Sequence, residues 1–142
     1  MKICVAGAGA FGVKHLEALA KIDGVRVTSL VGRQRAPTEE VARKFGVPHV
    51  ATDLAESLAR SDVDAVILAT PTQMHAAQAL ACMDAGKHVQ VEIPLADRLA
   101  DAEAVVAKQR ATGRVAMVGH TRRFNPSHQW VHKRIENGNF HV

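Results

Sequence analysis

The residues with chemistry to offer begin at Gly7. Gly7, Gly9 and Gly12 stand in the spacing Gly-x-Gly-x-x-Gly, directly after the short apolar run Ile3 to Ala6. The stretch from Val13 to Ile22 then carries Val13, Leu16, Leu19 and Ala20 on one helical face. Each glycine answers a different need: a tight turn at Gly7, bare backbone against a pyrophosphate at Gly9, close helix–strand packing at Gly12. The helix N-terminus offers unpaired N–H groups and a partial positive charge, which suits phosphate. Ala10 and Phe11, between the last two glycines, share that turn. A second strand, Val25 to Val31, closes a βαβ unit. In that context the glycine pattern predicts a dinucleotide cradle; a glycine turn without a ligand is the plainer alternative.

The next chemical signal sits at the end of the second strand. Dinucleotide sites of this type place an acid about twenty residues past the glycines, where it holds the ribose 2′-hydroxyl. Here the strand runs into Gly32-Arg33-Gln34-Arg35, with no acid among them. A guanidinium pairs with a 2′-phosphate, which an acid would repel. Gly32 and Arg33, with Arg35 close behind, therefore predict NADP as the cofactor; a solvated basic loop is the bland reading.

These residues need a scaffold, and the chain alternates strands and helices throughout. The patterning predicts a helix from Thr38, read as its N-cap, to Phe45, stopped by Gly46, and a strand from Val47 to Val50. Asp53 is expected to cap a helix from Leu54 to Arg60, and Ala65 to Ala69 is a fourth strand. A helix from Met74 to Ala85, a strand from His88 to Val91, and a helix opened by Asp97 and closed by Gly113 follow. In that last helix Leu99, Ala102 and Val106 are expected to face inward. Val115 to Val118 makes a sixth strand, and a final helix runs from Ser127 to Glu136. The expected fold is α/β: a doubly wound, mostly parallel six-stranded sheet of the Rossmann type. Residues 1–125 form the dinucleotide-binding domain, and 126–142 a helix leading toward a second one.

In such a sheet ligands sit outside the carboxyl ends of the strands. Two loops there carry polar groups: Thr70-Pro71-Thr72-Gln73-Met74-His75 and Glu92-Ile93-Pro94. Thr70, Thr72 and His75 can reach a cofactor from that edge, although Thr72 also suits a helix cap and His75 a structural role. His128 and His132 share a helix face at the spacing of a zinc pair. They lack a following Glu and a third ligand, so no metal is expected.

Composition bounds the rest. Hydrophobic residues make up 47% of the chain and charged ones 23%, the balance of a globular domain. No apolar run approaches the ~20 residues of a membrane span, and no secretory leader pattern opens the chain, so a cytoplasmic location is expected. Cys4 and Cys82 form no metal or disulfide pattern and read as small core residues. The net charge of +4 fits a phosphate-bearing partner. Nucleic acid is not expected: a cluster of Arg122, Arg123, Lys133 and Arg134 exists, but one Trp, four Phe and no Tyr are poor material for stacking bases.

Taken together, the motifs resemble those of the glucose-fructose oxidoreductase and inositol dehydrogenase family. That family shows Gly-x-Gly-x-x-Gly, an Ala-Thr-Pro loop with a downstream His, a Glu-Lys-Pro loop and an Arg-Phe-Asn-Pro segment. Here these are Gly7 to Gly12, Ala69 to His75, Glu92 to Pro94 and Arg123 to Pro126. The resemblance implies cofactor contacts at Phe11, Arg33, Thr72, His75, Glu92 and Arg123. It also implies an NADP-dependent dehydrogenase, homo-oligomeric at full length, with a small-molecule substrate. A closer likeness is to members that oxidise the cyclic hemiacetal of a dicarboxylate semialdehyde. A relative acting on a sugar or polyol, and a non-catalytic NADP-sensing module, are the alternatives. The family's lysine in the Glu-Lys-Pro loop is Ile93 here, as in those closer relatives. Family members carry a further α/β domain that supplies the catalytic base. Its first strand is expected near Asn139 to Val142, so that domain lies outside this chain and the catalytic residues are not assigned.

Overall fold

Strand β1 (Lys2–Ala6) shows why the sheet is buried on both sides. Ile3 and Val5 point into one apolar cluster, while Cys4 and Ala6 point into the other. Alternation of this kind with apolar residues on both faces is the mark of a central strand covered by helices. In the computed structural model, which describes residues 1–138, the remaining strands are β2 (Arg26–Val31), β3 (His49–Ala51), β4 (Ala65–Leu68), β5 (His88–Glu92) and β6 (Ala116–Gly119). All pairings are parallel and the order is β3-β2-β1-β4-β5-β6. The sheet is therefore the expected doubly wound one.

Helices α1 (Ala10–Leu19) and α2 (Arg35–Phe45) cover one face. There Leu16, Leu19 and Ala42 meet Val5, Leu30 and Ile67. Helices α3 (Leu54–Leu58), α4 (Thr72–Asp84) and α5 (Leu99–Thr112) cover the other, where Ala79, Cys82, Met83 and Val105 meet Val66, Leu68 and Val91. Burial of Leu16, Leu30 and Leu68, each at most 1% exposed, contributes ~1.5–3 kcal/mol per side chain. A 3₁₀ turn (Thr121–Phe124) and α6 (Pro126–Glu136) follow β6. Asn137 and Gly138 close the described chain; Asn139 to Val142, where a further strand is expected, lie outside the described residues. Among the described residues no helix is long and apolar enough to cross a membrane.

Several element boundaries differ from the sequence expectation. Helix α1 begins at Ala10, with Gly9 at its N-cap, and ends at Leu19, so Ala20 is its exposed C-cap and not part of the inward face. Thr38 is not an N-cap: α2 starts at Arg35, and the Thr38 hydroxyl donates to the Gln34 carbonyl at 2.6 Å. Pro37 permits the early start, since a first-turn residue needs no N–H partner. Helix α4 starts at Thr72, capped by Pro71, and Arg98, not Asp97, precedes α5. On α5 the inward residue is Val105; Leu99 and Val106 are exposed. Gly46 and Gly113 end α2 and α5 as expected. None of the residues of α6 is buried, and Arg134 stacks over Trp130 at 4.4 Å.

Candidate cofactor-binding cleft

The strand order reverses beside β1, whose neighbours β2 and β4 send their crossovers to opposite faces. A crevice opens at such a switch point, outside the carboxyl ends of the strands. The turn after β1 shapes it. Gly7 has φ +112°, a conformation that L side chains rarely adopt, and its N–H donates to the Val31 carbonyl at 2.8 Å. A Cβ at Gly7 would overlap the Ala69 carbonyl, and one at Gly12 would overlap the carbonyl of Gly7. Gly9 differs from both: its backbone is extended, and a Cβ there would meet nothing within 4 Å. Two of the three glycines are thus required by packing, while the third borders open space.

That open space lies at the N-terminus of α1. Val13 makes the first helical bond, donating to the Gly9 carbonyl at 2.9 Å, so the N–H groups of Ala10, Phe11 and Gly12 precede the ladder. The helix has neither a side-chain cap nor an acid in its first turn. Unpaired donors, the helix dipole and a glycine-lined approach fit a pyrophosphate.

A cleft of about 1260 Å³ extends from this turn along the ends of β2, β3 and β4. Among the described lining residues Arg33 is the only cation and Asp53 the only acid. The Asp53 carboxylate accepts from the Ala55 N–H at 3.0 Å and so caps α3. Arg33 is exposed, with no hydrogen-bond or ion-pair partner among the described residues. Arg35 is engaged: it donates to the Val50 carbonyl at 3.4 Å and lies 3.7 Å from Glu39. Gly32 is buried because Thr38 packs on it; a Cβ at Gly32 would overlap the threonine hydroxyl.

A second pocket, of about 610 Å³, shares the wall Ala69-Thr70-Pro71 with the first. Phe11, Thr72, Glu92, Ile93 and Arg122 also line it. Thr70 donates its hydroxyl to Gln78 at 2.6 Å. His75 is 1% exposed, with Nδ1 2.8 Å from the Pro94 carbonyl and Nε2 2.8 Å from that of Thr70. Each ring nitrogen faces a backbone carbonyl, an imidazole with one N–H donates to one of them, and the residue lies between the loop after β4 and the loop after β5. Arg123 lies outside the pocket wall, and Arg122 lines it. Ala10 and Gly12 stand behind the turn, lining neither space. Sequence reasoning missed His15, whose Nε2 is 2.8 Å from Glu92 Oε1. A polar residue on the stripe of α1 that also holds Gly12 and Leu16 was the available signal, because a buried imidazole demands a partner.

The thiols take no part. Burial pushes Cys4 up to about 11 and Cys82 up to about 12. Among the described residues no group of three His, Cys, Asp or Glu side chains is placed to hold a metal, and His132 lies 3.2 Å from Glu136.

Known proteins place this architecture. The chain is 65% identical over 138 residues to the 4-carboxy-2-hydroxymuconate-6-semialdehyde dehydrogenase of Sphingobium sp. SYK-6, covering 97% of this chain and 44% of that protein. The scyllo-inositol dehydrogenase of Lactobacillus casei, solved with bound NAD(H) and scyllo-inositol, superposes with a TM-score of 0.90 at 25% identity, over 97% of this chain and 41% of that one. A 3-ketoreductase from Actinomadura kijaniata, solved with TDP-benzene and NADP, gives 0.89 at 28% identity, over 97% and 44%. This chain thus spans less than half the length of these relatives. The description "Oxidoreductase family, NAD-binding Rossmann fold" matches residues 1–120, and the chain belongs to that family, the Gfo/Idh/MocA oxidoreductases.

Proposed function

We propose that this chain is the NADP-binding part of a dehydrogenase. Its substrate is the cyclic hemiacetal of 4-carboxy-2-hydroxymuconate-6-semialdehyde, which it oxidises to 2-pyrone-4,6-dicarboxylate. The observation that carries the cofactor half is Arg33, which among the described residues has no partner at the end of β2 and shares its cleft with a single acid, Asp53, spent on capping α3. The substrate half rests on the 65% identity to the Sphingobium enzyme.

In this reading the N–H groups of α1 and the bare backbone at Gly9 hold the pyrophosphate. Gly32 and Arg33 receive the 2′-phosphate. Phe11, Thr70, Thr72, Glu92 and Ile93 wall the nicotinamide side, with His75 fixing the two loops and Arg123 standing near the mouth. When bound, the cofactor supplies a hydride acceptor; the protein positions it and keeps water from one face. Arg122, on the pocket wall, is a charge partner for a substrate carboxylate.

Calorimetric titration of the chain with NADP and NAD tests the cofactor assignment. A charge-assisted contact to the 2′-phosphate contributes ~1.5–3 kcal/mol, roughly ten- to 150-fold in preference for NADP. Arg33→Ala is expected to abolish most of that preference. An undiminished preference in the variant would refute the role given to Arg33.

A further inference from the structure

His15 has a task that neither the glycine turn nor the 2′-phosphate contact explains. Its ring joins two segments 77 positions apart: the helix that follows the glycine turn, and the carboxyl end of β5, which walls the smaller pocket. The side chains of His15 and Glu92 retain only 17% and 10% of their exposure, with Nε2 and Oε1 2.8 Å apart. Strand β6 confines the same carboxylate from its other flank. Glu92 pairs in register with Gly119, and a Cβ at Gly119 would stand 3.0 Å from Oε1. Glycine at that position leaves the room the carboxylate occupies.

The two oxygens of Glu92 are not equivalent. Oε1 has His15. Oε2 has no hydrogen-bond partner among the described residues, yet no fully buried side-chain oxygen is left unsatisfied, so Oε2 keeps some exposure on a residue that lines the smaller pocket. A buried carboxylate with one oxygen tethered and the other unpartnered at a pocket wall is an aimed acceptor, because the tether removes the rotamer freedom that binding would otherwise have to quench.

We propose that His15 is a positioning residue for the nicotinamide half of the bound dinucleotide. It holds Glu92 so that Oε2 accepts a hydrogen bond from an O–H or N–H of the nicotinamide riboside. This rests on the cofactor reading above, and it makes a distinct demand. The adenosine and phosphate half binds elsewhere in the cleft and does not sense the tether.

The test titrates the chain with NADPH and, separately, with adenosine 2′,5′-bisphosphate, which lacks the nicotinamide riboside. His15→Leu is expected to weaken NADPH binding about tenfold while leaving the bisphosphate within twofold. His15→Gln, which keeps an N–H donor near the position of Nε2, is expected to restore most of the loss. Unchanged NADPH affinity in the Leu variant, an equal loss for both ligands, or a Gln variant no better than Leu overturns the proposal. If His15→Leu does not fold, Gly119→Ala displaces the same carboxylate and is expected to weaken NADPH selectively; equal effects on the two ligands, or none, overturn it. A wild-type chain that binds neither ligand refutes the cofactor reading itself, whereas intact binding indifferent to His15 refutes this inference alone.

Discussion

Replacing Gly9 with valine separates the demands of the fold from those of the ligand. The backbone at Gly9 has φ −79° and ψ −169°, within the extended region that β-branched residues favour. A Cβ there meets nothing within 4 Å, so the side chain enters open space with no clash. Losing glycine at the helix N-cap costs from a few tenths to ~1 kcal/mol, a shift of a few degrees in melting temperature. The ligand meets a different situation. The valine occupies the approach to the N–H groups of Ala10 and Phe11, and each charge-assisted bond lost to a phosphate costs ~1.5–3 kcal/mol. One lost bond reduces affinity roughly ten- to 150-fold, and two remove measurable binding. Circular dichroism and melting curves report the fold, and NADPH fluorescence titration reports the affinity. Gly12→Ala is the control with the opposite signature. Its Cβ overlaps the Gly7 carbonyl, a backbone atom that cannot swing aside, so stability falls by ~1–3 kcal/mol or more. A folded Gly9→Val chain that binds NADPH like the wild type would refute the phosphate assignment.

Three other outcomes follow from the same packing and chemistry. Gly32→Ala is expected to lose ~1–3 kcal/mol through overlap with Thr38, and adding Thr38→Ala should recover part of that loss in denaturant melts; strictly additive losses would show that the two residues do not collide. Cys4 and Cys82 are buried, with thiols pushed up to about 11 and about 12, so at pH 8 the thiolate fraction is small. Iodoacetamide should leave both unmodified in the folded chain and alkylate both in denaturant; rapid labelling without denaturant contradicts the burial. The chain by itself is expected to bind NADP without turnover, since the ring of His75 is enclosed between two backbone carbonyls, Glu92 is committed to His15 and the nicotinamide riboside, and Ile93 offers no proton. A steady absorbance rise at 340 nm with the semialdehyde would contradict this.

Much of the scaffold is legible in the sequence because its signals are local. The apolar runs of β1 and β4 have the length and composition of strands buried on both faces, and the glycine spacing located the turn between β1 and α1. Arg33 stands out because an acid is missing where one is customary. What local pattern could not supply is the identity of each partner. His15 and Glu92 meet only because the order of strands brings β5 close to α1. Thr38 looks like a cap until Gly32 is found packed against it, and Pro37 then sits in the first turn. Helix α5 misled for a related reason: it packs chiefly against α4, so a single buried position, Val105, carries its burial while Leu99 is exposed. The sequence puts His75 at the carboxyl edge of the sheet, but only the structure shows its ring enclosed between the carbonyls of Thr70 and Pro94.

The central claim is that the crevice between the ends of β2, β1 and β4 receives NADP. Backbone amide spectra of the isotopically labelled chain, recorded during titration with NADP, test it most directly. The account predicts saturable shifts concentrated at Gly7 to Gly12, Gly32 to Gln34 and Thr70 to Thr72, with the amides of α5 and α6 unmoved. Saturable binding whose shifts fall instead on α6 and the basic turn before it, leaving the glycine turn silent, would contradict it.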